Sequence, residues 1–224
     1  MPIKLITGPI EEPVTLAEAK LHLRVDDNFD DSLIDMLITS ARLHAENVCR
    51  RAFVTQKWEL YLDAFPRQNF YGVLPGYAPL DQFIPTVLQA QRGYAIRFRG
   101  GKIELPFPPL ASVDAVKYID KTGVLTTLPP GMYTVDDISE PAVLTPAPDQ
   151  YWPDTQNVMN AVRIAFTTGY GLAQAVPAGI KTWMLLRVGA MYENREELAV
   201  GSRITVLELP FVDRLLDPYI VASF

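Results

Sequence analysis

The sequence predicts an α+β fold, a bundle of three to four helices from both chain ends carrying an inserted small antiparallel β domain. Three observations predict it. Apolar residues recur at three- and four-residue spacing near both termini. Between them the period changes to two, in short runs about ten residues apart. Prolines and glycines punctuate that middle, with 19 and 13 in a 224-residue chain. The expected organisation is an N-terminal helical part over 1–53, a β-rich insertion over 54–171 with a long loop at about 67–101, and a C-terminal helical part over 172–224 packing with 1–53.

Residues 1–13 read as an extended arm. Thr15 with Glu18 fits a capping box, and Leu16, Ala19 and Leu23 give one apolar stripe on a helix ending near Arg24. A second helix is expected from about Asn28 to Arg51, with Leu33, Ile34, Leu37, Ile38, Ala41, Ala45 and Val48 as its core stripe. Asp30 and Asp31 suit its first turn, and Arg50 and Arg51 its last, where they complement the helix dipole.

The first strand places Trp58, Leu60 and Leu62 on one face and Lys57, Glu59 and Tyr61 on the other. Further strands are expected at 102–105, 111–120, 124–128 (a hairpin across Lys121-Thr122-Gly123), 132–135, 142–145 and 161–167. Gly169-Tyr170-Gly171 reads as a turn. Pro177 opens a third helix carrying Ile180, Trp183, Met184, Arg187, Val188 and Met191 and ending near Glu197 or Leu198. A short helix follows over Leu209–Tyr219.

Composition narrows the function. A net charge of −6 and a pI near 5.0 give no overall basic field to recruit nucleic acid. The single cysteine, Cys49, excludes an intrachain disulfide and a cysteine-based zinc site, and reads as a buried small hydrophobe. The N-terminus lacks the apolar core of a signal peptide, and no apolar run reaches bilayer-spanning length. The expectation is a soluble protein made in a cytoplasm.

No chemical constellation emerges. His22 and His44 lie on different helices with no metal-ligand spacing. Asp26, Asp27, Asp30 and Asp31 do not follow a calcium-loop pattern and read as a dipole-matched helix start. Arg97-Phe98-Arg99-Gly100-Gly101-Lys102 is the one local basic run and reads as a solvated loop. The expectation is no enzyme, no cofactor and no metal.

Two sets of residues are candidates for protein contact. In the C-terminal stretch, Phe211, Leu215, Leu216, Tyr219, Ile220 and Phe224 are too apolar for a free tail. They either meet a neighbouring protein or pack back onto the helical core. In the long loop, Tyr71, Tyr77, Phe83 and Tyr94, with Tyr151 and Trp152 beyond it, either form an interface or pin the loop by a local cluster.

The ordered motifs resemble tailed-bacteriophage and prophage head–tail connector proteins. They are Pro13-Val14-Thr15-Leu16-Ala17-Glu18-Ala19-Lys20, His22 to Asp26, Asp31-Ser32-Leu33-Ile34 and Gln56 to Leu60. The hairpin over 113–128, Asn160 to Arg163, Thr168 to Gly171, Val176-Pro177, Tyr192-Glu193-Asn194-Arg195 and Leu209-Pro210-Phe211 continue the series. The likeness spans most of the chain except about 67–100, a segment longer and more aromatic than such proteins lead one to expect. It implies a non-catalytic adaptor assembled in the host cytoplasm and carried in the virion. It further implies a homo-oligomeric ring, usually of twelve copies, beneath the portal protein. The ring would extend the DNA channel without sequence-specific binding, and present a platform to stopper or tail-completion proteins. On that reading the C-terminal stretch contacts the portal or a neighbouring copy. A rival reading is a carbohydrate- or receptor-binding module of a phage tail, built on the β region and its exposed aromatics. A second rival is a hydrolase using His22 or His44 with aspartates.

Overall fold

The computed structural model describes residues 2–66, 101–194 and 210–221. Helices and antiparallel sheets both occur. The chain order is β1 (Ile3–Thr7), α1 (Leu16–Leu23), α2 (Asp31–Cys49), β2 (Gln56–Leu62), β3 (Ile103–Leu105), β4 (Leu110–Ile119), β5 (Leu125–Thr127), β6 (Tyr133–Asp136), β7 (Ala142–Pro146), β8 (Val162–Thr168), α3 (Ala178–Glu193) and α4 (Pro210–Arg214).

The capping box forms as the sequence predicts. The Glu18 amide donates to Thr15 Oγ1 at 3.2 Å, and the Thr15 amide donates to the Glu18 carboxylate at 2.7 Å. These bonds hold the Glu18 carboxyl below its ordinary value, led by the Thr15 amide. Arg24 closes α1 in the left-handed conformation.

Helix α2 begins at Asp31 rather than Asn28, and its core face is Ile34, Ile38, Ala41, Ala45 and Cys49. Two expectations fail here. Val48 is 40% exposed, because it lies off the stripe that Ala45 and Cys49 continue. Arg50 and Arg51 are not last-turn cations; Arg50 is the left-handed cap, and Arg51 lies beyond the helix with its side chain buried. In α3, Ile180, Trp183, Met184 and Val188 are buried as the spacing predicts, whereas Arg187 is exposed. Pro177 takes the N-cap position, one residue earlier than expected, and α3 ends at Glu193. The last predicted helix is shorter than Leu209–Tyr219: α4 stops at Arg214, and a 3-10 turn covers Asp217–Tyr219.

One core cluster joins the chain ends. Val14, Ile34, Ile38 and Phe53 meet Ile180, Trp183, Met184 and Leu216 there. Each large side chain so buried contributes about 1.5–3 kcal/mol.

Among the described residues the β region forms two sheets, with strand orders β1-β2-β8-β4-β5 and β3-β7-β6 and antiparallel pairing. Inward residues of both sheets, among them Leu60, Ile164 and Phe166 from one and Ile103, Leu105 and Leu144 from the other, share a second core. The N-terminal arm supplies the edge strand β1, with Leu5 opposite Trp58. Gly169, at φ +116°, carries the chain out of β8. A Cβ there would stand 2.5 Å from the Val54 carbonyl oxygen, so the turn requires glycine.

Candidate functional site

The C-terminal segment is fastened to the end of α2 by a buried arginine. Arg51 donates Nη1 and Nη2 to the Glu140 carboxylate at 2.7 and 2.5 Å, and Nε to the Tyr219 carbonyl at 2.9 Å. Its hydrogen bond draws the Glu140 carboxyl below the ordinary value. The Val221 amide donates to the Cys49 carbonyl at 3.0 Å, one of the orphan acceptors at the end of α2. A second polar centre sits beside the first. Glu46 accepts from Arg42 Nη1 at 2.7 Å, the Phe53 amide at 2.9 Å and Gln56 Nε2 at 2.7 Å. Arg42 also donates Nε to Glu12 at 2.7 Å, which ties down the N-terminal arm. Sequence reading missed both centres, since Glu140 is 89 residues from Arg51 and Gln56 is 10 residues from Glu46, across the end of α2.

The predicted contact residues separate. Leu216 is 2% exposed and sits in the core, while Leu215 and Tyr219 are half-buried against it. The Tyr219 ring lies on the first turn of α3, where a Cβ added to Gly179 would come within 3.0 Å of its hydroxyl. Ile220 is 44% exposed. Phe211 falls within α4. Phe224, Tyr71, Tyr77, Phe83 and Tyr94 lie outside the described residues, as do Arg97, Phe98, Arg99 and Gly100 of the basic run. Tyr151 is exposed as expected, but Trp152 is half-buried. It stacks on Phe65 at 4.8 Å and donates Nε1 to the Gly101 carbonyl at 2.7 Å.

The groups weighed for chemistry take structural partners. His44 stacks on Trp183 with ring centroids 5.7 Å apart, and His22 is exposed on α1. Asp31 pairs with Lys20 at 2.6 Å, and Asp30 accepts from the Tyr192 hydroxyl at 2.5 Å. Among the described residues, no group of three or more histidine, cysteine or acidic side chains is placed to hold a metal ion. Burial pushes the Cys49 thiol up to about 11, so little thiolate exists at neutral pH. Among the described helices none is long and apolar enough to cross a membrane.

Three of the exposed apolar residues form a pattern. Phe29, Met36 and Leu43 are 94%, 58% and 56% exposed and recur every seven residues, away from the core stripe of α2. The signal was in the sequence, masked by the stronger stripe beside it. Leu43 and Asn47 also wall a shallow groove with Leu5, Pro9, Trp58 and Phe107.

The model of the phage gp6-like head-tail connector protein family matches residues 13–79. No protein with a curated description matches the chain. A chain in the virion of a native gene transfer agent (GTA) particle is similar over 100% of this chain and 97% of its own, with a TM-score of 0.70 and 19% identity. A chain in the neck of an empty GTA particle computed with C6 symmetry gives the same values. One in the neck of a native GTA particle computed with C12 symmetry has a TM-score of 0.68, again at 19% identity and with the same coverage. At that identity the likeness is one of fold. The chain thus resembles phage head–tail connector proteins, matching the gp6-like connector family over residues 13–79 and the fold of phage-like particle neck chains along its length, and a structural connector role is what these findings support.

Proposed function

We propose that this protein is a head–tail connector of a tailed phage or prophage. Copies of it assemble as a ring beneath the portal, extend the DNA channel and offer a platform to stopper or tail-completion proteins. The observation that carries the reading is the connector-family match over residues 13–79, joined to a whole-length fold likeness to neck chains. C12 symmetry in one of those necks supports a ring. The net charge of −6 suits a channel wall that lets DNA slide past.

The test is to mix the purified chain with the portal protein and examine the product by native mass spectrometry and electron microscopy. The reading predicts a ring of copies bound to the portal; neither ring nor binding would overturn it.

Within this reading the C-terminal segment docks on the portal through its exposed part. The Leu216 anchor and the Arg51 clasp hold the segment to the body, and Ile220 is left outward. Ile220→Ser leaves those anchors intact. Portal binding lost at an unchanged melting temperature supports docking, and unchanged binding contradicts it.

A further inference from the structure

A ring of more than two copies closes only through a head-to-tail contact, so each copy must present two different, complementary patches. The first is the outward seam of α2. Met36 and Leu43 form its apolar line, which Phe29 extends just before the helix, with exposed Ser32, Ser40 and Asn47 beside them. Asp26 and Asp27 precede Phe29, Asp35 flanks Met36, and all three are exposed and in no ion pair among the described residues.

The second patch is the outer face of the five-stranded sheet. Strand alternation places it on the other side from the seam. Leu5 and Trp58 point inward and wall the groove beside Leu43, whereas their neighbours Lys4 and Lys57 point outward. Lys117 stands opposite Arg163 on the same outer face, and Ala115 stands opposite Ala165 at its centre. Four cations thus face out against two carboxylates, Glu59 and Asp114, an excess of two positive charges on a chain whose net charge is −6. Lys4, Lys57 and Lys117 are exposed and in no ion pair among the described residues. Arg163 Nε is buried and has no hydrogen-bond partner among the described residues, so only the outer end of its guanidinium bears on this face.

We propose that a second copy of this chain covers the α2 seam, seating the outer face of its five-stranded sheet there. The inference rests on the ring reading and names its subunit contact. Charge complementarity selects the occupant: unpaired carboxylates line one patch and unpaired cations the other. The paired alanines leave a low centre into which Met36 fits. Aligned charges of this kind fix register and suppress the reverse arrangement.

Charge reversal tests the pairing. Asp35→Lys and Lys57→Glu alter exposed side chains, and unchanged circular dichroism and melting verify the fold. Assembly of the full chain is followed by sedimentation and native mass spectrometry, alone and with the portal protein. Each single variant is expected to need roughly tenfold more protein for half-assembly, from like charges facing each other. An equimolar mixture of the two restores assembly as alternating copies, and so does the double variant.

If the wild-type chain assembles and the single variants match it, this interface is overturned while the ring reading stands. The same follows if Lys57→Glu alone weakens assembly, since the sheet face would then meet something other than α2, such as DNA. Failure of the mixture and the double variant to recover overturns the pairing too. A wild-type chain that stays monomeric alone and with the portal overturns the ring reading and this interface together.

Discussion

Arg51 shows how much one side chain can organise. It lies just past α2, yet it joins Glu140 from the β region to the Tyr219 carbonyl of the C-terminal segment. Removing a buried, multiply bonded guanidinium strands its partners. Because the Glu140 side chain is 42% exposed, water compensates in part, and Arg51→Ala is expected to cost about 2 kcal/mol in denaturant melts. The same bond predicts a pH dependence. Arg51 depresses the Glu140 carboxyl below its ordinary 4.5, so the carboxylate's contribution is fully present above 4.5 and is lost as pH falls through the depressed value. The difference in melting temperature between the wild type and Glu140→Gln should therefore narrow as the pH drops below 4.5; a constant difference would contradict the clasp. Gly169 is equally demanding. Gly169→Ala combines a left-handed backbone with a 2.5 Å approach to Val54 and should cost about 3 kcal/mol, read as lost folded yield or a lowered melting temperature.

At the scale of elements, the sequence was most legible where a rule is local. The Thr15–Glu18 box, the alternation through β2 and the turn at Lys121-Thr122-Gly123 all depend on neighbours within four residues, and all three form. Thr15→Ala should cost about 1 kcal/mol, a downward shift of a few degrees in a chain of this size. What spacing could not show was long-range. Arg51 looked like a last-turn cation because its partner Glu140 is 89 residues away. Trp152 looked exposed because its partners Phe65 and Gly101 are distant in sequence. The C-terminal stretch looked uniformly apolar, yet packing divides it. Leu216→Ala empties a buried site and should cost 2–5 kcal/mol, in the range for large-to-small core changes, whereas Ile220→Ser should leave the melting temperature unchanged.

At the scale of the whole molecule, the described residues form two cores joined by polar clasps, while Met36 and Leu43 line the outward side of α2 with Phe29 just before it. Ordered motifs carried the family resemblance, although each was weak alone, and the match over residues 13–79 spans the same N-terminal block. The assembly surfaces were harder to read. Seven-residue recurrence of Phe29, Met36 and Leu43 gains meaning only once the opposite face of α2 is known to be buried. The outer sheet face gains its charge only once β1, β2, β4 and β8 are aligned in register.

We propose that this chain is a ring-forming connector. Electron microscopy of the full chain bound to the purified portal protein, with native mass spectrometry to count copies, tests it most directly. A ring-forming connector gives a closed ring of identical copies seated on the portal around an open channel. Isolated monomers beside an unoccupied portal would contradict it.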